Sequence, residues 1–305
     1  MVETSSKESH GVEEGPWTVL RLIRWSADYL AAKGVESGRL DAEHLLAHAL
    51  ETTRLQLYLE YDRPLTPEEL DRFRPLLRRR GQREPLQYVT GRTGFRELEL
   101  ITDPRALIPR PETEVLVETV LRWASGRGDL TAVDVGTGTG CIALSLLAEG
   151  SFREVWALDL SAAALELARQ NAVTASVGER IRFLQSDGLS GLPTDLTVDV
   201  VVSNPPYVAR DDASRLEPEI LGHEPHQALF AGDDGLGVLR PLVAAAPGRL
   251  RAGGLLALEV GVGQAETVLD LVAATGAFQG GDIHRDLAGK PRIVTAERRP
   301  SGGES

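Results

Sequence analysis

The chain has 305 residues, 45 acidic against 33 basic side chains, a formal charge of −12 and one cysteine, Cys141. That length can bury one large or two modest cores, the acidity opposes a partner gripped through its phosphates, and a lone thiol excludes a disulfide framework and multi-cysteine zinc patterns, which fits a reducing cytoplasm. No apolar run approaches the roughly 20 residues of a membrane span, and the opening MVETSSKESHGVEEGP lacks the apolar middle of a signal peptide.

Residues 1–16 are rich in Ser, Glu and Gly and read as a mobile tail, as do residues 300–305. From Trp17 to about Arg80 the apolar residues recur at helical spacing: Val19, Leu20, Ile23 and Leu30, then Leu45, Leu46, Ala49 and Leu50, then Leu70, Phe73, Leu76 and Leu77. Asp41 and Thr66, the latter followed by Pro67 and Glu69, look like helix starts. The span 17–87 therefore reads as a small helical bundle. His44 and His48 stand four apart, the spacing of two ligands on one helical face, but no third ligand lies near and ordinary packing is the expectation. The run RRRGQR at 78–83 suits either an acidic partner or, as we expect, a helix C-terminus, where cations and a glycine are favoured.

Gly91 and Gly94 bracket a short segment and FRELELI alternates apolar with polar residues, so 88–108 reads as a hairpin linker between domains. IPRPETEVLVETVLRWA follows as a helix with Pro111 in its first turn and Glu112 and Glu114 at its positive end. After Gly128, apolar strands alternate with helices of 10 to 15 residues: TAVDVG, CIALSLLAEG, EVWALD, SAAALELARQNAV, IRFLQSD, VDVVVSNPPY, a helix around 236–251, GGLLALEV, a helix from Gln264 to about Ala274, and a terminal strand pair near 277–285 and 291–297. This pattern predicts an α/β domain over 109–299, a doubly wound, mostly parallel sheet covered on both faces.

The chemistry concentrates at the carboxyl ends of those strands, where open α/β sheets bind ligands. Asp134, Gly136, Thr137, Gly138, Thr139 and Gly140 form the first strand-to-helix turn, whose glycines let backbone approach a ligand and whose helix offers free N–H groups. The dinucleotide fingerprint would need a third glycine at 141, which is Cys141, so the spacing disfavours NAD. Asp159 closes the second strand, placed to accept the hydroxyls of a ribose. Asp187, followed by Gly188, closes the third and can accept from an adenine amine.

The fourth strand runs into Asn204-Pro205-Pro206-Tyr207. Two prolines fix φ, carry no N–H and hold the chain extended. The Asn204 side-chain oxygen and a neighbouring carbonyl, expected from Pro205, then offer two acceptors to the two hydrogens of a planar NH₂ group, with Tyr207 as a stacking face. A carboxamide and a nucleobase amine both fit this description. HEPH at 223–226 holds metal-capable side chains, but its Pro- and Gly-rich setting points to a lid or substrate loop. Cys141, opening a helix, is expected as a small buried residue rather than a nucleophile.

The sequence resembles the class I S-adenosylmethionine-dependent methyltransferases, and within them the release factor glutamine N5-methyltransferase family. The likeness runs from about Trp17 through GRTGFRELELITDPRALIPRPETE, DVGTGTG, ALDLS, LQSD, SNPPYV, EPHQALFAGDDGL and KPRIVTAE. It implies a seven-stranded, Rossmann-like methyltransferase domain preceded by a helical substrate-recognition domain. It also implies S-adenosylmethionine as cofactor, held by the 136–140 loop, Asp159, Asp187, Gly188 and Asn204, with S-adenosylhomocysteine as product. The substrate implied is the glutamine of the Gly-Gly-Gln motif in class I peptide chain release factors, its amide held by Asn204, Pro205, Pro206 and Tyr207. A cytoplasmic monomer without metal, direct nucleic-acid contact or membrane attachment is expected. Where some members carry an aromatic residue after the LQSD aspartate, this chain has Gly188, so Leu189 becomes the expected cover for the adenine. Two other classes stay open: a nucleic-acid amino-methyltransferase, disfavoured by the acidity, and a scaffold without catalysis, which would tolerate a damaged NPPY.

Overall fold

The computed structural model describes residues 15–300; the greater part of the expected N-terminal tail and residues 301–305 of the C-terminal one lie outside them. The chain divides into two compact units, the first ending at Thr90 and the second beginning at Gly91.

The first unit is helical: α1 (Val19–Ala32), α2 (Gly38–Ala49), α3 (Arg54–Leu59), α4 (Pro67–Gly81) and α5 (Leu86–Thr90). Val19, Ile23, Leu30, Leu45, Leu46 and Phe73 meet in its core, each aliphatic side chain contributing roughly 1.5–3 kcal/mol by leaving water. Thr66 starts α4 as expected, with Pro67 in the first turn and a reciprocal capping box to Glu69. Asp41 does not start α2. The helix begins at Gly38 after Ser37, whose hydroxyl donates to Asp41 Oδ1 (2.8 Å), and Asp41 is buried against Arg80 (Nε to Oδ2, 2.6 Å). The basic run therefore serves the helix end and the interior: Arg79 holds Glu84 (2.6 Å) and Arg80 holds Asp41.

The second unit opens with an antiparallel hairpin, β1 (Arg92–Phe95) and β2 (Leu98–Ile101). The segment that the sequence marks as a linker is built into this unit: Phe95 and Leu100 enter its core, Arg96 grips Glu149 (2.6 Å) and Glu118 (3.1 Å), and the buried Asn171 side chain bonds both Ile101 N (2.7 Å) and Ile101 O (3.1 Å). Residues 88–90 belong instead to α5. Then come α6 (Pro111–Ala124), β3 (Leu130–Val135), α7 (Cys141–Glu149), β4 (Phe152–Asp159), α8 (Ala162–Thr174), β5 (Ile181–Gln185), β6 (Val198–Ser203), α9 (Pro218–His223), α10 (Leu239–Ala245), β7 (Leu250–Glu259), α11 (Ala265–Ala274), β8 (Phe278–Arg285) and β9 (Pro291–Arg298).

The seven strands form one sheet ordered β5-β4-β3-β6-β7-β9-β8, parallel except for β9, which runs antiparallel to both neighbours. Helices α6 and α7 cover one face through Leu116, Val120, Leu144 and Leu147. Helices α10 and α11 cover the other through Leu239, Leu242, Val268 and Val272. Two expected boundaries move. The helix expected over 236–251 stops at Ala245, since Pro247 follows and β7 already pairs with β6 at Leu250. Strand β5 ends at Gln185, leaving Asp187 in the turn beyond. Among the described residues no helix is long and apolar enough to cross a membrane.

Arg80→Met should lower the free energy of urea unfolding by about 3–5 kcal/mol, because it strands the buried Asp41 carboxylate without its counter-charge. Arg74→Ala, which removes an exposed partner of Asp71, is the control. Equal losses for the two variants would show that the buried pair contributes nothing special.

Candidate active site

Strand β3 lies between β4 and β6, and its pairing with β6 puts Val135 opposite Ser203. The first and fourth strands of the sheet thus end side by side, with chains diverging to opposite edges, and a crevice opens between them. Gly136, Gly138 and Gly140 line up just past β3 at φ values of 75°, 55° and 85°, a region that only glycine enters at no steric cost. Backbone N–H groups of Gly136 and Thr137 both donate to Leu158 O (2.8 Å each). Beneath the loop, the wholly buried Asp134 accepts from Thr137 Oγ1 (2.6 Å) and Ala143 N (3.2 Å). Beside it, Asp159 accepts from Gly138 N (2.9 Å) and Ser161 N (2.8 Å). Two carboxylates therefore hold one loop from below and from the side.

Burial pushes the Asp134 carboxyl up to about 7, its two hydrogen bonds opposing and the Asp159 charge adding to the rise. Asp159 is raised too, again chiefly by burial, against the bonds from Ser161, Gly138 and Leu160. Desolvation outweighs hydrogen bonding at both.

Strand β6 ends at Ser203, whose hydroxyl donates to Val135 O (2.6 Å) and locks the two strand ends together. Asn204 then donates from Nδ2 to Thr113 Oγ1 (2.9 Å), and Thr113 donates to Glu259 Oε2 (2.6 Å). Pro205 is buried and Pro206 half-buried. Past the tetrapeptide, Val208 is bracketed by bonds to Leu229 O (2.9 Å) and from Ala231 N (3.0 Å). Gly235 lies so close that any side chain there would collide with the Tyr207 carbonyl. The extended NPPY segment is held at both ends.

A cavity of about 760 Å³ fills the crevice, within the roughly 300–1,000 Å³ usual for small-molecule sites. Gly136, Thr137, Gly138, Thr139, Asp159, Asp187, Gly188, Asn204, Pro205 and Pro206 all line it. Three expected residues do not. Asp134 works from underneath the loop. Gly140 caps α7, with its Cα turned to Leu144 and Ala168. Tyr207 turns its ring to Arg292, whose guanidinium stands 5.1 Å from the ring centre and donates to the phenol oxygen (2.9 Å), so this cation covers one face of the ring. Asp187 is exposed at the cavity rim, and Gly188 sits at φ 54° with open space beside it. Leu189 lines the wall but is packed into the core with Val133 and Leu158, whereas Leu160 lines the same cavity and is half exposed.

Sequence reasoning missed Thr113, Glu259 and Arg292, which reach the site from α6, β7 and β9. Glu224 was noted only as one of the metal-capable side chains of HEPH, and its structural role was missed. That buried carboxylate accepts from Arg110 (2.6 Å) and Ile108 N (3.3 Å), tying the loop before α6 to the one that contains HEPH. His226 meanwhile contacts Leu221 O (2.9 Å) and packs edge-on against Phe230 (5.5 Å). Among the described residues no three His, Cys, Asp or Glu side chains gather as a metal site. Cys141 is buried and its thiol is pushed up to about 12, first by burial and then by the Asp134 charge, so it stays protonated and inert.

Comparison with known proteins matches residues 21–91 to the family described as PrmC N-terminal domain and residues 111–232 to the family described as methyltransferase small domain. A protein of Geobacter sulfurreducens named release factor glutamine methyltransferase is 43% identical over 260 residues, covering 85% of this chain and 90% of that protein. One of the same name from Rhodopirellula baltica is 36% identical over 302 residues, covering 98% and 100%. Among solved structures, the hMettl16 catalytic domain in complex with MAT2A 3'UTR hairpin 6 is similar with a TM-score of 0.52 and 15% identity, over 68% of this chain and 78% of that one; this likeness concerns the fold alone.

The raised carboxyl beneath the loop makes a pH-dependent prediction. Between its ordinary 3.8 and about 7 the folded Asp134 binds a proton that the unfolded chain releases. Its contribution to stability is therefore full below the lower value and is lost as pH climbs to the upper one. Asp134→Asn cannot ionise, so its melting temperature should gain on that of the unmodified protein as pH rises through this window. A difference that stays constant from pH 4 to 8 would contradict the buried-carboxyl reading.

Proposed function

The chain belongs to the release factor glutamine methyltransferase family, and on that premise we propose that it methylates the side-chain amide nitrogen, N5, of the glutamine in the Gly-Gly-Gln motif of class I peptide chain release factors. The proposed methyl donor is S-adenosylmethionine, with S-adenosylhomocysteine as product, and the proposed place of action is the cytoplasm. The observation that carries this reading is the Asn204 carboxamide: its nitrogen is engaged by Thr113, and its residue lines the same cavity as the glycine loop.

The residues present suit the proposed donor. A sulfonium cation with ribose hydroxyls and an adenine amine calls for acceptors, and Asp159 and Asp187 bring two carboxylates to the cavity. Gly136 to Thr139 would take the amino-acid end, Asp159 the ribose and Asp187 with Gly188 the adenine edge; Leu160, more exposed than Leu189, is the better cover for the ring. When bound, this cofactor supplies an electrophilic methyl group.

The chain's own part is to position and activate the amide. A carboxamide nitrogen is a weak nucleophile because its lone pair is delocalised into the carbonyl. Asn204 Oδ1 and the Pro205 carbonyl, accepting one N–H each, return electron density to nitrogen and stabilise the positive charge that grows on it during attack. The rigid Pro205-Pro206 pair keeps these acceptors fixed, so little reorganisation is needed as charge develops. The extra proton leaves to water after transfer, and no strong base is required. Holding nucleophile and methyl about 3–3.5 Å apart accounts for several kcal/mol of the barrier.

With methyl-labelled S-adenosylmethionine, the protein should label a class I release factor, and neither its Gln→Ala loop variant, RNA nor DNA. Asn204→Ala should cut that turnover by about 100-fold or more with an unchanged melting curve. Label in nucleic acid but not in the release factor would overturn the reading in favour of a nucleobase amine, and no label anywhere would favour a scaffold.

A further inference from the structure

A carboxamide presents opposite chemistry on its two sides, and a clamp for an NH₂ group works only if Asn204 turns its oxygen to the substrate. A half-turn of the side-chain amide would set N–H against N–H. Nothing in the NPPY tetrapeptide itself selects between these orientations, so the choice must come from what touches Asn204.

Thr113 is the partner, and a hydroxyl has a single proton to give. It is committed to Glu259 Oε2 at 2.6 Å, an acceptor that in its carboxylate form has no proton to give back. Toward Asn204, Thr113 Oγ1 can then only accept, which draws Nδ2 to it at 2.9 Å and leaves Oδ1 for the cavity. Glu259 closes β7 and is wholly buried. Its other oxygen stands 3.7 Å from Arg292, and Arg292 in turn donates to the Tyr207 hydroxyl (2.9 Å) over the same ring it covers. One carboxylate is connected to both the first and the last residue of the NPPY segment.

Resting on the glutamine-clamp reading, we propose that Glu259 is the positioning residue of this site: through Thr113 it orients the Asn204 carboxamide with its oxygen to the substrate, and through Arg292 it fixes Tyr207. The relay depends on charge. A protonated Glu259 becomes a donor toward Thr113, whose hydroxyl is then released to donate to Asn204, and the amide turns its NH₂ to the cavity. The groups facing Glu259 are Thr113 and Glu112 on α6, Tyr207 after β6, Arg292 on β9 and, more remotely, Cys141 on α7. Burial raises the Glu259 carboxyl to about 7, the Thr113 bond and Arg292 pulling down and Glu112 pushing up. Turnover should therefore fall as pH drops through the ionisation of Glu259, because the active orientation needs the carboxylate.

Three variants in the full-length protein test this. Thr113→Val keeps shape and removes the hydroxyl: kcat should fall about tenfold or more with KM for S-adenosylmethionine nearly unchanged, and Thr113→Ser should restore it. The acidic limb of the kcat profile should be present in the unmodified protein and Thr113→Ser, and flat in Thr113→Val and Glu259→Gln. Independently of activity, ¹⁵N-detected solvent exchange of the Asn204 side-chain NH₂ should be at least about tenfold slower in the unmodified protein than in Thr113→Val. Wild-type kcat in Thr113→Val, an acidic limb that survives in Glu259→Gln, or equal Asn204 exchange would each overturn the relay. Failure of the unmodified protein to label a release factor would instead overturn the function, with the exchange measurement still deciding the relay.

Discussion

The parallel pairing of β3 with β6 decides where everything else in the site can stand. It sets Val135 opposite Ser203, so the glycine loop leaving one strand and the asparagine leaving the other emerge within the same crevice. The Ser203 hydroxyl, donating to Val135 O at 2.6 Å, binds the two strand ends where the ladder stops. The glycine loop and the NPPY segment need no long-range coupling when their backbones are neighbours in one sheet. The adjacency is topological: β4 and β5 are laid down on one side of β3 and β6 and β7 on the other, so the chain connections leave between the first and fourth strands.

Around that crevice the protein keeps several carboxylates out of water. Asp134 and Glu259 are fully buried, and both are pushed to about 7 because desolvation outweighs the bonds they accept. Such burial destabilises the fold unless each charge finds partners. Here the partners are the working parts: Thr137 and the start of α7 for Asp134, Thr113 and Arg292 for Glu259. The net effect is that pieces which must be rigid before a ligand arrives are bonded to groups that have few alternatives in a dry interior. An apolar core could fill the same space at lower cost in stability, but it could not tell the two sides of a carboxamide apart.

What the sequence disclosed, and what it hid, follows from the range of the forces involved. Gly136, Gly138 and Gly140 were legible because a left-handed backbone turn demands glycine at the residue itself, and Pro205-Pro206 because proline acts on its own φ and on its immediate neighbour. Thr66 and Glu69 were legible as a pair three apart. Thr113 and Glu259 were not, since their bonds span 91 and 146 positions and neither residue type is unusual where it stands. Tyr207 shows the same limit in reverse. Its aromatic ring after two prolines suggested a stacking surface at the site, but Tyr207 does not line the cavity and meets Arg292, 85 positions away. Asp41 looked like a cap because a cap and a buried ion-pair partner use the same side chain, and only Arg80, 39 positions on, distinguishes them. The hairpin at 92–101 read as a linker because its short alternation gives no sign that Phe95 and Leu100 enter a core already built by α6 and α7.

The segment IPRPETE, part of the stretches that carry the family resemblance, has a physical reason to be specific. Ile108 donates its N–H, and Arg110 its guanidinium, to the buried Glu224, fixing the loop that supplies Pro225 and Phe230 to the cavity wall. Pro111 then starts α6, so the first helical turn falls at a set distance from that loop. Thr113, in that turn, meets Asn204 and Glu259, and Glu114 accepts from the backbone of Arg96 (3.0 Å) at the hairpin tip. Seven consecutive residues thus bind the loop of Glu224, the first residue of NPPY, the end of β7 and the hairpin. Those duties call for different chemical groups at set positions: a free N–H and a guanidinium before the helix, a proline that starts it, and a hydroxyl and a carboxylate in its first turn. A segment with that many simultaneous geometric duties can change little without moving Asn204, whereas NPPY alone is free to serve any planar NH₂ group brought to it.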